Sequence, residues 1–352
     1  MSVQLPLPIQ TLYAELLDRS LIGKMAKEFD PSGTFIKKTM RNRDYYYFRS
    51  PMRQGTRTDI YVGPDSVELR ERIERHKSEK DDYKQRRSLV AALNRVGLRG
   101  PDPKTGLILE ALVDAGVFRM RGVVVGTAAF QTYPGLLGVK LANANAMTDD
   151  LDIAQFSTMS IAIQDEIDIP FIEVLRTVDP AVEPVARPIS PSKATQFRLA
   201  DNYRVDILTP NRGGDSDEPV ALPASRTDAQ PLRYLDFLIY QEVQAVALHG
   251  AGIPINVPAP ERYALHKLIV SRERVKTSGN QIKSRKDLRQ AGELLGALVD
   301  QRPYELKDLW SEFIERGPQW IRKASEALLL MDQEMGSKAI RHKIRPPDLG
   351  GK

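Results

Sequence analysis

Three short stretches of this 352-residue sequence carry residue types that together suit phosphoryl chemistry. They are Gly126-Thr127, directly after the apolar run Val123-Val124-Val125; then Asp150-Leu151-Asp152; then Val205-Asp206-Ile207. In a β-strand residues i and i+2 share a face, so Asp150 and Asp152 project together while Leu151 and Ile153 enter the opposite core. Two adjacent carboxylates repel unless a cation neutralises them. A hard divalent ion such as Mg²⁺ (or Mn²⁺) takes oxygen ligands and usually combines one or two carboxylates with substrate phosphates. Asp206, set between apolar Val205 and Ile207, falls on a neighbouring strand and adds a third carboxylate. Three acids from two strands can hold two metals about 3.5 to 4 Å apart, one gathering a triphosphate and one on the attacking hydroxyl. Gly126-Thr127 falls at a strand-to-helix turn, where free backbone N–H groups favour anions. The glycine lets a phosphate approach the backbone. The threonine hydroxyl can donate to a phosphate oxygen or serve as a helix N-cap. Asp149 alternates to the other side of the strand and reads as a turn or solvated residue.

Composition narrows the alternatives. With no cysteine, thiolate metal sites, disulfide scaffolds and cysteine nucleophiles drop out. Four histidines without clustered spacing make a zinc site a poor reading. No Walker-type Gly-x-x-x-x-Gly-Lys motif occurs: the stretch around Lys104-Thr105 has the wrong spacing and no apolar strand before it. The start lacks a basic region followed by a long apolar run, and no stretch reaches the roughly 18 to 20 apolar residues of a membrane span. A cytoplasmic protein with no membrane contact is expected. The net charge of +5 favours polyanionic partners such as nucleotides or nucleic acid.

The elements that must position these residues divide into three regions and a tail. Residues 1–100 read as a helix over 4–28, paired strands from GTFIKKTMRNRDYYYFRS and TRTDIYVG, and a long charged helix that starts at Asp65-Ser66 and stops at Gly97. Residues 101–258 read as the core of the protein. A helix with Leu107, Leu109, Leu112 and Val113 facing inward leads into a strand over 121–125. That strand is apolar throughout and is therefore expected at the centre of its sheet. A helix over 128–137, the strand DLDIA, a short helix over 165–177 and a hairpin turning at Asp201-Asn202 follow. NRGGDSDEPVALPASRTDAQP reads as a long polar loop, and QEVQAVAL with GIPINVPA as a second hairpin. Residues 259–336 read as amphipathic helices, and 337–352 as a flexible basic tail.

The ordered set of apolar strand, Gly126-Thr127, helix, Asp150-x-Asp152 and later Asp206 resembles the DNA-polymerase-beta-like nucleotidyltransferases. The longer run GTAAFQTYPGLLG…TDDLDIA, with VPAPERYALHKLIVSRER and KDLRQA, resembles a bacterial branch of that superfamily, over roughly residues 101–330. The resemblance implies an α+β nucleotidyltransferase fold: a mixed sheet of four or five strands flanked by helices, with a helical C-terminal part closing over the nucleotide. It implies transfer of a nucleoside monophosphate from an NTP to an acceptor hydroxyl with release of pyrophosphate. Asp150 and Asp152 would be metal ligands, and Asp206 a metal ligand or a general base. The 24 positions from Gly126 to Asp150 exceed the family's usual gap and predict an enlarged loop around VKLANANAMT.

Basic residues on the C-terminal helices are further candidates. Lys267 and Arg272 lie at near-helical spacing, and the resemblance places such residues at nucleotide phosphates; a solvated helix face accounts for them equally well. Lys286-Asp287 resembles a recurrent element of the same branch, or forms a charge pair at a helix start. His266 reads as a packed or surface histidine. Between Gly33 and Gly63, seven basic residues (Lys37, Lys38, Arg41, Arg43, Arg49, Arg53, Arg57) outnumber two acids and interleave with Tyr45, Tyr46, Tyr47 and Phe48. That mixture suits nucleic-acid contact by the 33–63 hairpin, but a core or domain-interface role is the plainer account, since any half-buried sheet alternates aromatics in this way. An RNA end, a protein and a small molecule all stand open as acceptor. A nucleotide-binding regulatory module, or a toxin-like transferase of a defence system, fits the same residues.

Overall fold

The computed structural model describes residues 3–22, 29–40, 43–52, 57–145, 149–162, 166–186, 190–211, 217–275 and 281–335. The end of the first expected helix, Arg41, Arg53 and the basic tail lie outside the described residues. The chain is an α+β protein whose mixed central sheet is flanked by helices.

The N-terminal part contains β1 (Val3–Gln4), α1 (Leu7–Ile22), β2 (Thr34–Met40), β3 (Arg43–Arg49), β4 (Asp59–Pro64) and α2 (Val67–Arg95). The first aromatic stretch supplies two strands rather than one, so β2-β3-β4 form a three-stranded antiparallel sheet. Ser66 caps α2, its Oγ accepting from the Leu69 N–H at 3.2 Å, and Gly97 ends it with φ +93°. This polar helix is buried at two separate places. Near its start, Leu69, Ile73 and His76 lie under the small sheet, the His76 ring 5.2 Å from Phe35 and 5.6 Å from Phe48. Near its end, Val90 and Leu93 join Leu5, Tyr13, Leu16, Leu98, Val246 and Leu248 in a small core.

Next come α3 (Pro103–Asp114), β5 (Val123–Val125), α4 (Gly126–Phe130), α5 (Tyr133–Leu137), β6 (Val139–Lys140) and β7 (Asp150–Ala154). Then follow α6 (Ser157–Ala162), α7 (Phe171–Arg176), β8 (Glu183–Pro184), β9 (Gln196–Arg198), β10 (Arg204–Pro210), β11 (Val220–Leu222) and β12 (Thr227–Leu232). α8 (Leu235–Ile239), β13 (Val243–Ala247) and β14 (Ile253–Val257) close the region. The central sheet has seven strands, with order β11-β12-β10-β7-β5 and β9, with β8 behind it, on the first half of β10. β7 and β10 run parallel; β5 runs antiparallel to β7.

Several expectations change. β5 is an edge strand, not a central one. It is apolar on both faces because the β13–β14 hairpin packs against it. Asn256 on that hairpin donates to the carbonyls of Phe118 and Gly122 at 2.7 and 2.9 Å. On α3 the buried positions are 105, 106, 108, 109 and 112, so Ile108 faces inward and Leu107 is 48% exposed. The expected helix after Thr127 breaks into α4 and α5. The long gap before β7 holds α4, α5, β6 and a one-turn helix at Ala142–Asn145, rather than an open loop. That turn is tied to the C-terminal part: the Asn143 backbone N–H and Nδ2 both donate to the Glu293 carboxylate. The supposed polar loop after Pro210 supplies β11 and β12, with β12 parallel to β10. The hairpin at Asp201-Asn202 forms as read, both residues having φ +60°, as tight hairpin turns require.

The C-terminal part is helical: α9 (Pro260–Val275), α10 (Gln281–Gln301), α11 (Pro303–Glu315) and α12 (Pro318–Met335). One hydrophobic core runs without interruption from Ile108 through the sheet to Met331, so α9 and α10 are fixed against the strands that carry the acids. Among the described residues, no helix is long and apolar enough to cross a membrane.

Candidate active site

Strand register builds the acidic centre. Along β7, Leu151 and Ile153 are buried while Asp150 and Asp152 are half-buried on the other face; along β10, Val205 and Ile207 are buried around half-buried Asp206. Parallel pairing matches Asp206 to Asp152 and Arg204 to Asp150. The three carboxylates therefore gather on one face. Burial, and then the charges of Asp150 and Asp206, push the Asp152 carboxyl up to about 7. Gln196, matched to Asp206 across the antiparallel β9 pairing, donates its Nε2 to Asp206 Oδ1 at 2.5 Å.

Gly126 meets the acids through the other neighbour of β7. Val125 is registered to Asp152, so Gly126 begins α4 beside that carboxylate. Its φ is +66°, and a Cβ there would run into Asp152 Oδ2. Backbone conformation and space both require glycine at this position. The Gly126 carbonyl accepts from the Tyr263 hydroxyl of α9 at 2.8 Å. The same hydroxyl lies 3.2 Å from Gln290 Oε1, while Gln290 Nε2 is buried with no hydrogen-bond partner. A Tyr hydroxyl has one proton, so turning the Gln290 amide over, with Nε2 donating to the Tyr263 oxygen, satisfies both groups.

α9 and α10 bring the cations. Lys286 donates its Nζ to Thr127 Oγ1 at 2.9 Å, and burial followed by the charge of Lys267 lowers its pKa. Asp287, 1% exposed, is paired with Lys267 at 2.6 Å and with Arg274 at 2.7 Å. Both cations are close enough to Asp152 to favour its ionised form.

The structure thus brings together Gly126, Thr127, Asp150, Asp152, Asp206, Lys267 and Lys286. It does not bring Arg272, which turns to α12 and pairs with Glu326 at 3.3 Å. Arg274 takes that place. Seven residues along a helix return to nearly the same face, whereas five leave by about 140°, so Lys267 shares its face with Arg274 and not with Arg272. That spacing was the signal for Arg274. Tyr263, four residues before Lys267, lies on the same stripe, and the Lys267 Nζ sits 5.1 Å from its ring centre. Gln196 had no signal short of strand register. His266 is packed and buried, and burial pushes its pKa down to about 3.

Among the described residues, no three acidic or histidine side chains are already drawn into a closed metal-ligand cluster. The donor set beside Gly126 is all oxygen, which suits a hard divalent cation whose remaining ligands come from phosphate and water. Closely placed like charges of this kind are what such a cation relieves.

The fold and this centre define an α+β protein with an acidic strand pair beside a left-handed glycine turn. A family model described as "Nucleotidyltransferase" matches residues 103–315, more than half of the chain, and the protein belongs to that family. It is a nucleotidyltransferase, an enzyme that moves nucleoside monophosphates. Comparison with curated proteins and with solved structures gave no match.

Proposed function

We propose that the chain is a metal-dependent nucleotidyltransferase of the polymerase-beta-like kind. It moves an NMP from an NTP to an acceptor hydroxyl and releases pyrophosphate. The observation that carries this reading is the register of Asp152 with Asp206 on parallel strands, with Asp150 two residues before and the Gly126 turn alongside. Asp150, Asp152 and Asp206 would hold Mg²⁺ or Mn²⁺. Bound there, the cation neutralises the triphosphate and makes the acceptor hydroxyl easier to deprotonate.

The chain's own residues account for the rest. Gly126 leaves room for a phosphate at the turn, and Thr127 with Lys286 supplies donors for its oxygens. Lys267 and Arg274, fixed by Asp287, set positive charge where negative charge builds on the leaving pyrophosphate. Asp206, oriented by Gln196, takes the proton of the attacking hydroxyl. The acceptor oxygen bonds to the α-phosphorus as the bond to pyrophosphate breaks. In this reading residues 101–258 are the catalytic core, 259–336 close over the nucleotide, and 1–100 are an accessory unit.

The test is incubation with each NTP labelled at the α-phosphate, Mg²⁺ and candidate RNA, protein and small-molecule acceptors, with pyrophosphate release followed in parallel. Label transfer abolished in Asp150→Ala/Asp152→Ala supports the reading; unchanged transfer in that variant sinks it.

A further inference from the structure

The small N-terminal sheet is held away from the core and keeps one face that α2 does not cover. α2 has 29 residues and is about 43 Å long by helix geometry. Its buried contacts near Ile73 belong to the sheet, and those near Val90 to the core. The two lie 17 residues, or about 25 Å, apart along the rod. The face packed on α2 carries Phe35 and Phe48, whose rings meet Phe29 and His76.

Alternation sends Arg43, Tyr45, Tyr47 and Arg49 of β3 to the opposite face. Ring contacts confirm a continuous aromatic surface there. Tyr61 of β4 lies 5.4 Å from Tyr47 and 6.3 Å from Tyr45, and Tyr61 is 54% exposed. Lys38 of β2 sits 4.4 Å above the Tyr47 ring. Lys38 and Arg49 both pair with Asp59, the one acid among these side chains, so Lys38, Arg43 and Arg49 leave the face positive.

We propose that this tyrosine face binds single-stranded RNA. Stacked bases need rings about one strand apart, and their phosphates need cations at the rim; on this face of β3, Tyr45 and Tyr47 lie between Arg43 and Arg49. Ile36 and Met40 of β2 share this face by register, but three tyrosines and three cations outnumber them, which favours a polyanion with flat bases over an apolar protein partner. A duplex presents no free base faces for stacking. The phenol oxygens and Asp59 also offer acceptors for a ribose 2′-hydroxyl, a donor that DNA lacks. Binding at this face does not depend on the carboxylates of β7 and β10, so it stands or falls apart from the transfer reaction.

The experiment is fluorescence anisotropy of labelled 12-nucleotide single-stranded RNA, the same sequence as single-stranded DNA, and duplex RNA, each titrated with the full chain at two salt concentrations. The wild-type chain is expected to bind single-stranded RNA tightest and to weaken as salt rises. Tyr47→Ala/Tyr61→Ala is expected to lose on the order of tenfold or more, since stacking on one ring supports about that much. Tyr61→Phe keeps the ring and should stay within a few-fold of wild type, and an unchanged melting curve shows that the sheet still folds. Asp150→Asn/Asp152→Asn should bind RNA as wild type does. No salt-dependent binding, equal binding by the folded double tyrosine variant, or preference for duplex RNA or for DNA would each overturn the proposal.

Discussion

Asp152 and Asp206 are register partners on parallel neighbouring strands, and Val125, the residue before Gly126, is the register partner of Asp152 on the other side. One strand, β7, thereby aligns the acids of its neighbour with the turn before α4. Strand pairing alone fixes the backbone positions of the acids and of the glycine turn. Side chains from α9 and α10 then supply the charge that three carboxylates and a triphosphate require.

Gly126 tests that alignment. Alanine there must accept φ +66° and displace Asp152. We expect Gly126→Ala to cost about 1 to 2 kcal/mol of stability, from the left-handed backbone. Nucleotidyl transfer should fall by about 100-fold or more, and denaturant unfolding beside a transfer assay separates the two effects.

Arg272 and Arg274 provide an internal contrast. Arg274→Ala and Lys286→Ala should raise the KM for NTP by about tenfold each, on the scale of one charge-assisted hydrogen bond. Arg272→Ala removes an exposed ion pair with Glu326 and should change KM by less than twofold. Equal effects at 272 and 274 would remove Arg274 from the site.

Asp287 holds two cations while itself buried. Asp287→Ala leaves Lys267 in the interior without its partner, a change that costs about 3 to 5 kcal/mol in buried pairs. Differential scanning calorimetry should show a clear drop in Tm, larger than for Arg274→Ala.

His266 sets an acid limit on stability. Its folded pKa, about 3, lies below its ordinary value of 6.5 because burial disfavours the charged ring. Between those values the unfolded chain binds the extra proton, so stability falls as pH drops from about 6.5 towards 3. His266→Gln cannot titrate and should flatten part of that fall. Tm measured across pH 7 to 4 for both proteins checks the sign.

Much of this site is legible in the sequence because its strands alternate cleanly. Leu151-Asp152-Ile153 and Val205-Asp206-Ile207 declare their buried and open faces by residue type, and Asp201-Asn202 declares the hairpin that aligns one of them. β5 misleads because an apolar run reports burial on both faces without saying what covers them; here it is the β13–β14 hairpin, not two neighbouring strands. Gln196 and Tyr263 are ordinary residues until strand register and helix packing set them against Asp206 and Gly126. Arg272 lies away from the acids for a simpler reason: five residues along a helix do not return to the same face.

The most direct test of the proposal that Asp150 and Asp152 hold a metal is a Mn²⁺ titration followed by electron paramagnetic resonance, with a nonhydrolysable NTP analogue present. The wild-type chain should bind Mn²⁺ in a nucleotide-dependent manner, and Asp150→Asn/Asp152→Asn should lose that binding while keeping its fold by circular dichroism. Mn²⁺ bound equally well by the folded double variant would contradict the account.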